Sequence, residues 1–409
     1  MKINITAKGI VWNIVGNIIA SAITFIFSIV IARVNGTYEV GLYSIAWALV
    51  SLVSTIGLYN MRNYQITDVK ETYSFNDYKV SRRVTIGLMI TVSTIICILG
   101  NYSNEVKAIV FLLTLNEAIN AYSDVYQGMF QMEGYLDTAG KTKVIRYSAY
   151  LISFIGILLL TQKLVPAFLV MVVVNLMLFL SYDMQIVKKY NIVSRNADFG
   201  QIRELLYKCF PLFLSSFFVM YYLNAPKYAI NTFMDEYNQG IYNILYMLTF
   251  VLNLFAIICM QPIMPYLAVE SEKEDKRNYI RLIHLIILGV IILITISQLV
   301  VVSIGIPILS VLYRVDLREY EGIFRVLLVV GGIQAITGIL QNALIIMRKQ
   351  TTILCGAGIT CIVLYFASNI LVKEYGILGA TLANLLGATI LFIIFYGLFW
   401  IYILKNRIH

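Results

Sequence analysis

Twelve apolar runs follow one another along the chain with only short polar breaks between them, at residues 9–32, 40–60, 84–101, 107–128, 147–162, 164–184, 209–231, 238–262, 283–305, 323–346, 351–371 and 377–402. A helix needs about 20 predominantly apolar residues to cross a hydrocarbon core, and runs of this kind read as transmembrane helices. The overall composition agrees, with 60% hydrophobic residues, 13% charged residues and a mean hydropathy of +0.81, far from the balance of a soluble domain. The longest breaks, near 61–83, 185–208 and 263–282, leave no room for a water-soluble domain. The chain is therefore expected to act within the membrane.

Basic residues resist translocation, so their distribution among the breaks orients the spans. With the N-terminus inside, 23 of the 31 Lys and Arg fall on the inner side and 8 on the outer side. This predicts a multi-pass protein of the cytoplasmic membrane with both termini cytoplasmic. The net charge of +9 is spread over seven inner segments rather than gathered on one face, which argues against nucleic acid as a partner. The small residues Ala20, Ser21 and Ala22 resemble a signal-peptide cleavage site, but the apolar run continues through Ile31, so the first run reads as a membrane helix. Cys97, Cys209, Cys259, Cys355 and Cys361 lie in or beside apolar runs and read as packing residues without a disulfide framework.

An internal echo organises the twelve spans. TYEVGLYSI at 37–45 and EYNQGIYNI at 236–244 place Tyr38 on Tyr237, Gly41 on Gly240, Tyr43 on Tyr242 and Ile45 on Ile244, all at an offset of 199. Each copy sits at the outer hairpin between the first two spans of a set of six. Even-numbered halves in the same orientation make a parallel repeat related by an axis along the membrane normal. The expected domains are a lobe at 1–200 and a lobe at 201–409, each of six helices. Locally, the two glycines suit a tight turn or a close backbone approach and Tyr43 and Tyr242 suit an interfacial aromatic belt.

Polar residues inside the spans are the candidate working parts, because a charge at such depth costs at least a few kcal/mol unless paired, protonated or wet. Asn13, Asn17, Ser21, Thr24 and Ser28 share one face of the first span, since their spacings are four, four, three and four. Glu117, Asn120 and Asp124 line one face of the fourth, with Asn116, Ser123 and Gln127 adjacent. In YLNAPKYAIN of the seventh span, Asn224, Pro226 and Lys227 interrupt an apolar run, and the proline is expected to kink the helix. Lys227 is the expected partner of the fourth-span carboxylates. Gln298, Gln334, Gln341, Asn342, Asn369 and Asn384 add further polar positions, for which hydrogen bonding between helices is the competing account.

Enzymatic readings fare poorly. The two histidines, His284 and His409, supply neither a metal cluster nor a histidine-based triad, and no segment resembles a phosphate-binding loop. No catalytic residue, metal or cofactor is expected.

Five stretches carry a resemblance that covers both halves: IARVNGTYEVGLYSIAWALVSL, VYQGMFQMEGYLDTAGKTKVIR, NAPKYAINTFMDEYNQGIYNILYML, QPIMPYLA and YGILGATLANLL. They resemble bacterial polysaccharide flippases of the multidrug, oligosaccharidyl-lipid and polysaccharide exporter superfamily. The resemblance implies an all-α polytopic fold with two lobes around a central cavity, and translocation of an undecaprenyl pyrophosphate-linked oligosaccharide for O-antigen, capsule or exopolysaccharide synthesis. Lys227 matches a cavity position of that family. Lys227, Asn224, Asn13, Asn17, Asn120 and Arg33 then read as substrate contacts, and Glu117 and Asp124 as ion-coupling carboxylates. Membrane lipids, a polysaccharide polymerase and a chain-length regulator are the further partners implied. Two other functions stay open: a drug or cation antiporter of the same superfamily, and a non-transport component of a polysaccharide assembly complex.

Overall fold

A computed structural model describes residues 7–68, 72–132, 135–184, 196–247, 249, 252, 260, 266–267, 270–271, 273, 275–300, 304–347 and 349–405. The described residues are helical almost throughout and contain no strand. The fold is all-α, and nine described helical segments are long and apolar enough to cross a membrane, the last of them holding two of the expected spans. Large apolar side chains such as Leu99, Leu160 and Leu299 stand on the surface at 75 to 81% exposure, which suits contact with lipid rather than water.

The chain divides into two compact units, residues 1–217 and 218–409. In the first unit, α1 (Ala7–Asn35) packs on α6 (Leu136–Thr161), and α2 (Thr37–Leu58) packs on α4 (Phe75–Leu99) and α5 (Asn104–Met132). The short α3 (Met61–Thr67) lies against α5, and α7 (Leu164–Leu178) ends in a π-helical turn at Phe179–Asp183. Gly140 sets the α1–α6 crossing: a Cβ there would come within 2.4 Å of the Trp12 backbone. Two spans begin well before their apolar runs do, α4 at Phe75 rather than 84 and α6 at Leu136 rather than 147. The Ser74–Asp77 capping box starts α4 among polar residues, because capping satisfies the first backbone donors regardless of hydropathy.

The 35-residue α8 (Phe199–Phe233) leads into the second unit, followed by α9 (Glu236–Tyr246), α10 (Arg277–Val300), the eight-residue α11 (Ile306–Tyr313), α12 (Glu321–Ile346) and α13 (Gln350–Lys405). Most of the 238–262 run beyond Tyr246 lies outside the described residues, as do Cys259 and His409. The expected proline kink is not found as a break: α8 runs on through Pro226 to Phe233. The last two spans join within α13 at Gly376, whose backbone is non-helical at φ 58°, ψ −132°, a conformation open to glycine. Its two arms run antiparallel. A Cβ on Gly379 would lie 1.9 Å from the Leu371 carbonyl oxygen, Gly387 sits against Leu364, and Thr352 and Tyr402 share a 2.9 Å hydrogen bond.

The echo at an offset of 199 returns as a repeat of burial. Tyr38 and Tyr237 are about half exposed, at 51% and 47%, whereas Tyr43 and Tyr242, and likewise Ile45 and Ile244, are fully buried. An aromatic pair repeats as well: Tyr43 stacks on Trp47 at 6.4 Å, and Tyr242 on Tyr246 at 5.9 Å. Two readings are corrected here. Of the two alternatives for the glycines, the tight turn is excluded, since Gly41 and Gly240 are buried inside α2 and α9. Tyr43 and Tyr242 are core residues rather than members of an interfacial belt, because the helices start at Thr37 and Glu236 and turn those rings inward.

Candidate functional site

The first unit collects its interior charges where α1, α3, α4, α5, α6 and the π-turn of α7 meet. Arg146 of α6, 1% exposed, is the hub. Its guanidinium donates to Asp183 Oδ2 at 2.7 Å, to Asn120 Oδ1 at 2.9 Å, and to Asn175 Oδ1 at 2.9 and 3.1 Å. The π-turn carries Asp183 to this position, and Ser123 donates to the same carboxylate oxygen at 2.7 Å. Such a charged cluster is tolerable in a bundle interior only when its hydrogen bonds are filled.

Of the expected fourth-span face, Glu117 accepts from Asn120 at 3.0 Å and from Asn116 at 3.4 Å, and has no basic partner at ion-pair distance among the described residues. Asn120 therefore bridges Glu117 to Arg146, donating to the Glu117 carboxylate and accepting from the Arg146 guanidinium. Asp124 pairs with Arg62 at 2.7 Å and Arg82 at 3.2 Å. Arg82 is fully buried and also donates to the carbonyls of Gly57 and Leu58. Within the first unit, the basic partners described for this face come from α3, α4 and α6.

Asn13 and Asn17 lie together, with Asn17 donating to Asn13 at 3.1 Å and accepting from Lys143 of α6 at 2.8 Å. Arg33, in contrast, is exposed in the last turn of α1. It stands 16 residues beyond Asn17, about 24 Å along a helix axis, and does not join the cluster.

The second unit holds one deeply buried cation among its described residues. Lys227, 5% exposed, donates to Asn243 Oδ1 at 3.0 Å, and its ammonium stands 5.4 Å from the Tyr246 ring centroid. No carboxylate lies at ion-pair distance among the described residues. Asn224, one turn earlier, donates to the Met220 carbonyl at 3.0 Å. Gln334 and Asn384 extend this environment, Gln334 reaching both the Tyr246 hydroxyl at 3.4 Å and Asn384 at 3.3 Å, while Asn384 donates to the Tyr242 hydroxyl at 2.8 Å. The offset of 199 makes the arrangement more informative: Lys227 and Asn243 fall on Ser28 and Ser44, both buried. The repeat accommodates small hydroxyls in one half and an amide-held cation in the other.

Other polar positions serve the backbone. Asn342 and Asn369 donate to carbonyls four residues back, and Gln298 to the Arg325 carbonyl. His284 hydrogen-bonds the Ile280 carbonyl at 2.8 Å amid Tyr396, Phe399 and Trp400. Among the described residues no cluster of three metal-ligating side chains occurs, and Cys97, Cys209, Cys355 and Cys361 are free thiols.

Four participants were not singled out by the sequence reading: Arg62, Arg82, Lys143 and Arg146 had been counted as loop charges. The available signal was spacing, since Lys143, Arg146, Tyr147 and Tyr150 share one face of α6, as intervals of three, four and seven require.

Comparison with known proteins fits this architecture. Residues 6–269 match the model of a family described as polysaccharide biosynthesis protein. No curated protein matches. Among solved structures, an inward-facing multidrug resistance MATE family transporter of the MOP superfamily is similar with a TM-score of 0.66 at 12% identity, covering 95% of each chain. The lipid II flippase MurJ in an inward closed conformation gives 0.67 at 13%, covering 98% of this chain and 90% of that one. A MOP superfamily transporter from Pyrococcus furiosus gives 0.65 at 11%, covering 98% and 96%. At such identities the likeness is one of fold: this is a multi-pass membrane protein with the fold of MOP-superfamily transporters and flippases.

Proposed function

Since the chain belongs to the polysaccharide biosynthesis protein family, we propose that it is a flippase that moves an undecaprenyl pyrophosphate-linked oligosaccharide from the cytoplasmic to the outer leaflet of the cytoplasmic membrane by alternating access. The observation that carries this reading is Lys227, a buried ammonium held by Asn243 and the Tyr246 ring, with no carboxylate at ion-pair distance among the described residues of its unit. Burying a cation on neutral groups is costly, and a pyrophosphate supplies the missing negative charge at the moment of binding. The small hydroxyls at the equivalent positions Ser28 and Ser44 indicate that the repeat itself does not require a cation there. Amide groups from Asn13, Asn17, Asn120 and Asn224 are suited to exchange hydrogen bonds with a hydrated glycan.

Glu117 is the carboxylate suited to ion coupling, because among the described residues its hydrogen-bond partners are the amides of Asn116 and Asn120, whereas Asp124 is engaged by two arginines. The same observation keeps a cation antiporter as the second reading. Deleting the gene should make lipid-linked repeat units accumulate facing the cytoplasm while surface polysaccharide disappears. Unchanged surface polymer together with an unchanged lipid pool would refute the flippase.

A further inference from the structure

Lys143 stands apart from the other interior cations of the first unit. Arg62, Arg82 and Arg146 each have a carboxylate within 3.2 Å. Lys143 has none among the described residues, and its described hydrogen bond is the 2.8 Å donation to Asn17. Its charged neighbours at longer range are Arg62 and Arg146, which repel it, and Asp124, whose two oxygens already take Arg62 and Arg82. Among the described residues of the cluster four cations, Arg62, Arg82, Lys143 and Arg146, face three carboxylates, Glu117, Asp124 and Asp183. In that described set Lys143 is the cation without a carboxylate at ion-pair distance.

The placement of that charge is fixed by the tightest approach between α1 and α6. A Cβ on Gly140 would lie 2.4 to 2.6 Å from the backbone of Trp12 and Asn13, and one on Gly16 would lie 3.1 Å from the Gly140 carbonyl oxygen and from Lys143 Cβ. Asn17 and Lys143 therefore meet beside a backbone-to-backbone contact, which fixes where the Lys143 side chain starts. Helix packing alone would be served by a neutral side chain. An ammonium has three donors, of which one goes to Asn17, and the Asn17 amide spends one of its two on Asn13. Lys143 lies seven residues from the start of α6, about 10 Å along the axis, within reach of the headgroup level.

We propose that Lys143, with Asn17 and Asn13, is a second anion-binding site, taking a lipid-borne phosphate at the end of the first unit where α1 and α6 begin. The substrate assignment rests on the flippase reading above, in which the cargo carries pyrophosphate. A compact ammonium flanked by neutral amides matches a phosphate group, and a phospholipid headgroup offers the same chemistry.

The Trp12 backbone packs against Gly140 one residue before Asn13, and Trp12 fluorescence is followed as the readout once Trp47 and Trp400 are replaced by Phe. The full chain in phosphatidylcholine nanodiscs is titrated separately with undecaprenyl pyrophosphate, undecaprenol and phosphatidylglycerol. Undecaprenyl pyrophosphate should change the Trp12 signal saturably, and undecaprenol should not. Lys143→Gln should weaken that response by about tenfold or more, and Lys143→Arg should keep most of it. Asn17→Asp guards against misfolding as an explanation, since it places a carboxylate against the ammonium: the fold should hold or gain thermal stability while the response is lost. A wild-type response in both Lys143→Gln and Asn17→Asp would overturn the site while leaving the flippase intact. A Lys143-dependent response to phosphatidylglycerol as strong as that to undecaprenyl pyrophosphate would overturn the substrate assignment in favour of a headgroup. Lack of any response to pyrophosphate in the wild type would overturn the site, and surface polymer unaffected by gene deletion would separately refute the flippase reading.

Discussion

Arg146 and Asp183 form a 2.7 Å ion pair in which each side chain is only 1% exposed, although one lies on α6 and the other in the π-turn that closes α7. The pair fixes the first unit at the level where its polar residues gather. Removing one member leaves an uncompensated buried charge, a loss of about 3–5 kcal/mol. Arg146→Leu and Asp183→Leu alone should each lower the thermal midpoint of the purified protein markedly. The double replacement should recover much of the loss, and additive losses would show that the pair is not coupled.

Lys227 separates function from folding because the repeat contains its neutral counterpart. Lys227→Ser with Asn243→Ser copies Ser28 and Ser44 into the second unit and should insert and fold normally. Surface polysaccharide in a deletion strain should not be restored by this protein or by Lys227→Gln, whereas Lys227→Arg should restore part of it. Full restoration by Lys227→Gln at normal expression would remove Lys227 from the substrate site.

Glu117→Gln removes the charge while leaving a carbonyl oxygen for Asn116 and Asn120. Membrane levels should be unchanged and transport should lose its dependence on an imposed ion gradient. Retention of that dependence would exclude Glu117 from ion coupling.

Gly379→Ala should destabilise the α13 hairpin by about 1–3 kcal/mol through overpacking, since its Cβ meets the Leu371 carbonyl oxygen. Gly397→Ala, with nothing within 4 Å of the added carbon, should be neutral or slightly stabilising in the same melting experiment.

Orientation is tested by accessibility. In a protein freed of native cysteines, Thr72→Cys and Asp275→Cys should resist an impermeant thiol reagent applied to intact cells, and Asn101→Cys should react. All three positions are exposed, so burial does not complicate the result. The opposite pattern would reverse the topology.

The sequence alone determined that this chain is a bundle of membrane helices with an internal repeat, because apolar length and a fixed offset are properties of the linear chain. It also placed Glu117, Asn120 and Asp124 on one face, since helical periodicity is local. Partner choice was not legible. The spacing of Asp124 says which way its carboxylate turns, but only the packing of α3 and α4 against α5 brings Arg62 and Arg82 to it. Arg82, Lys143 and Arg146 were hidden for a related reason: a hydropathy window ends a span where charges begin, whereas a capped helix continues through them and buries the charges against one another. Tyr43 and Tyr242 were misplaced by the same local logic, because an aromatic beside a hairpin could face headgroups or core. The tertiary structure decided for the core: α2 and α9 start at Thr37 and Glu236, six residues before each ring, and packing turns both rings inward.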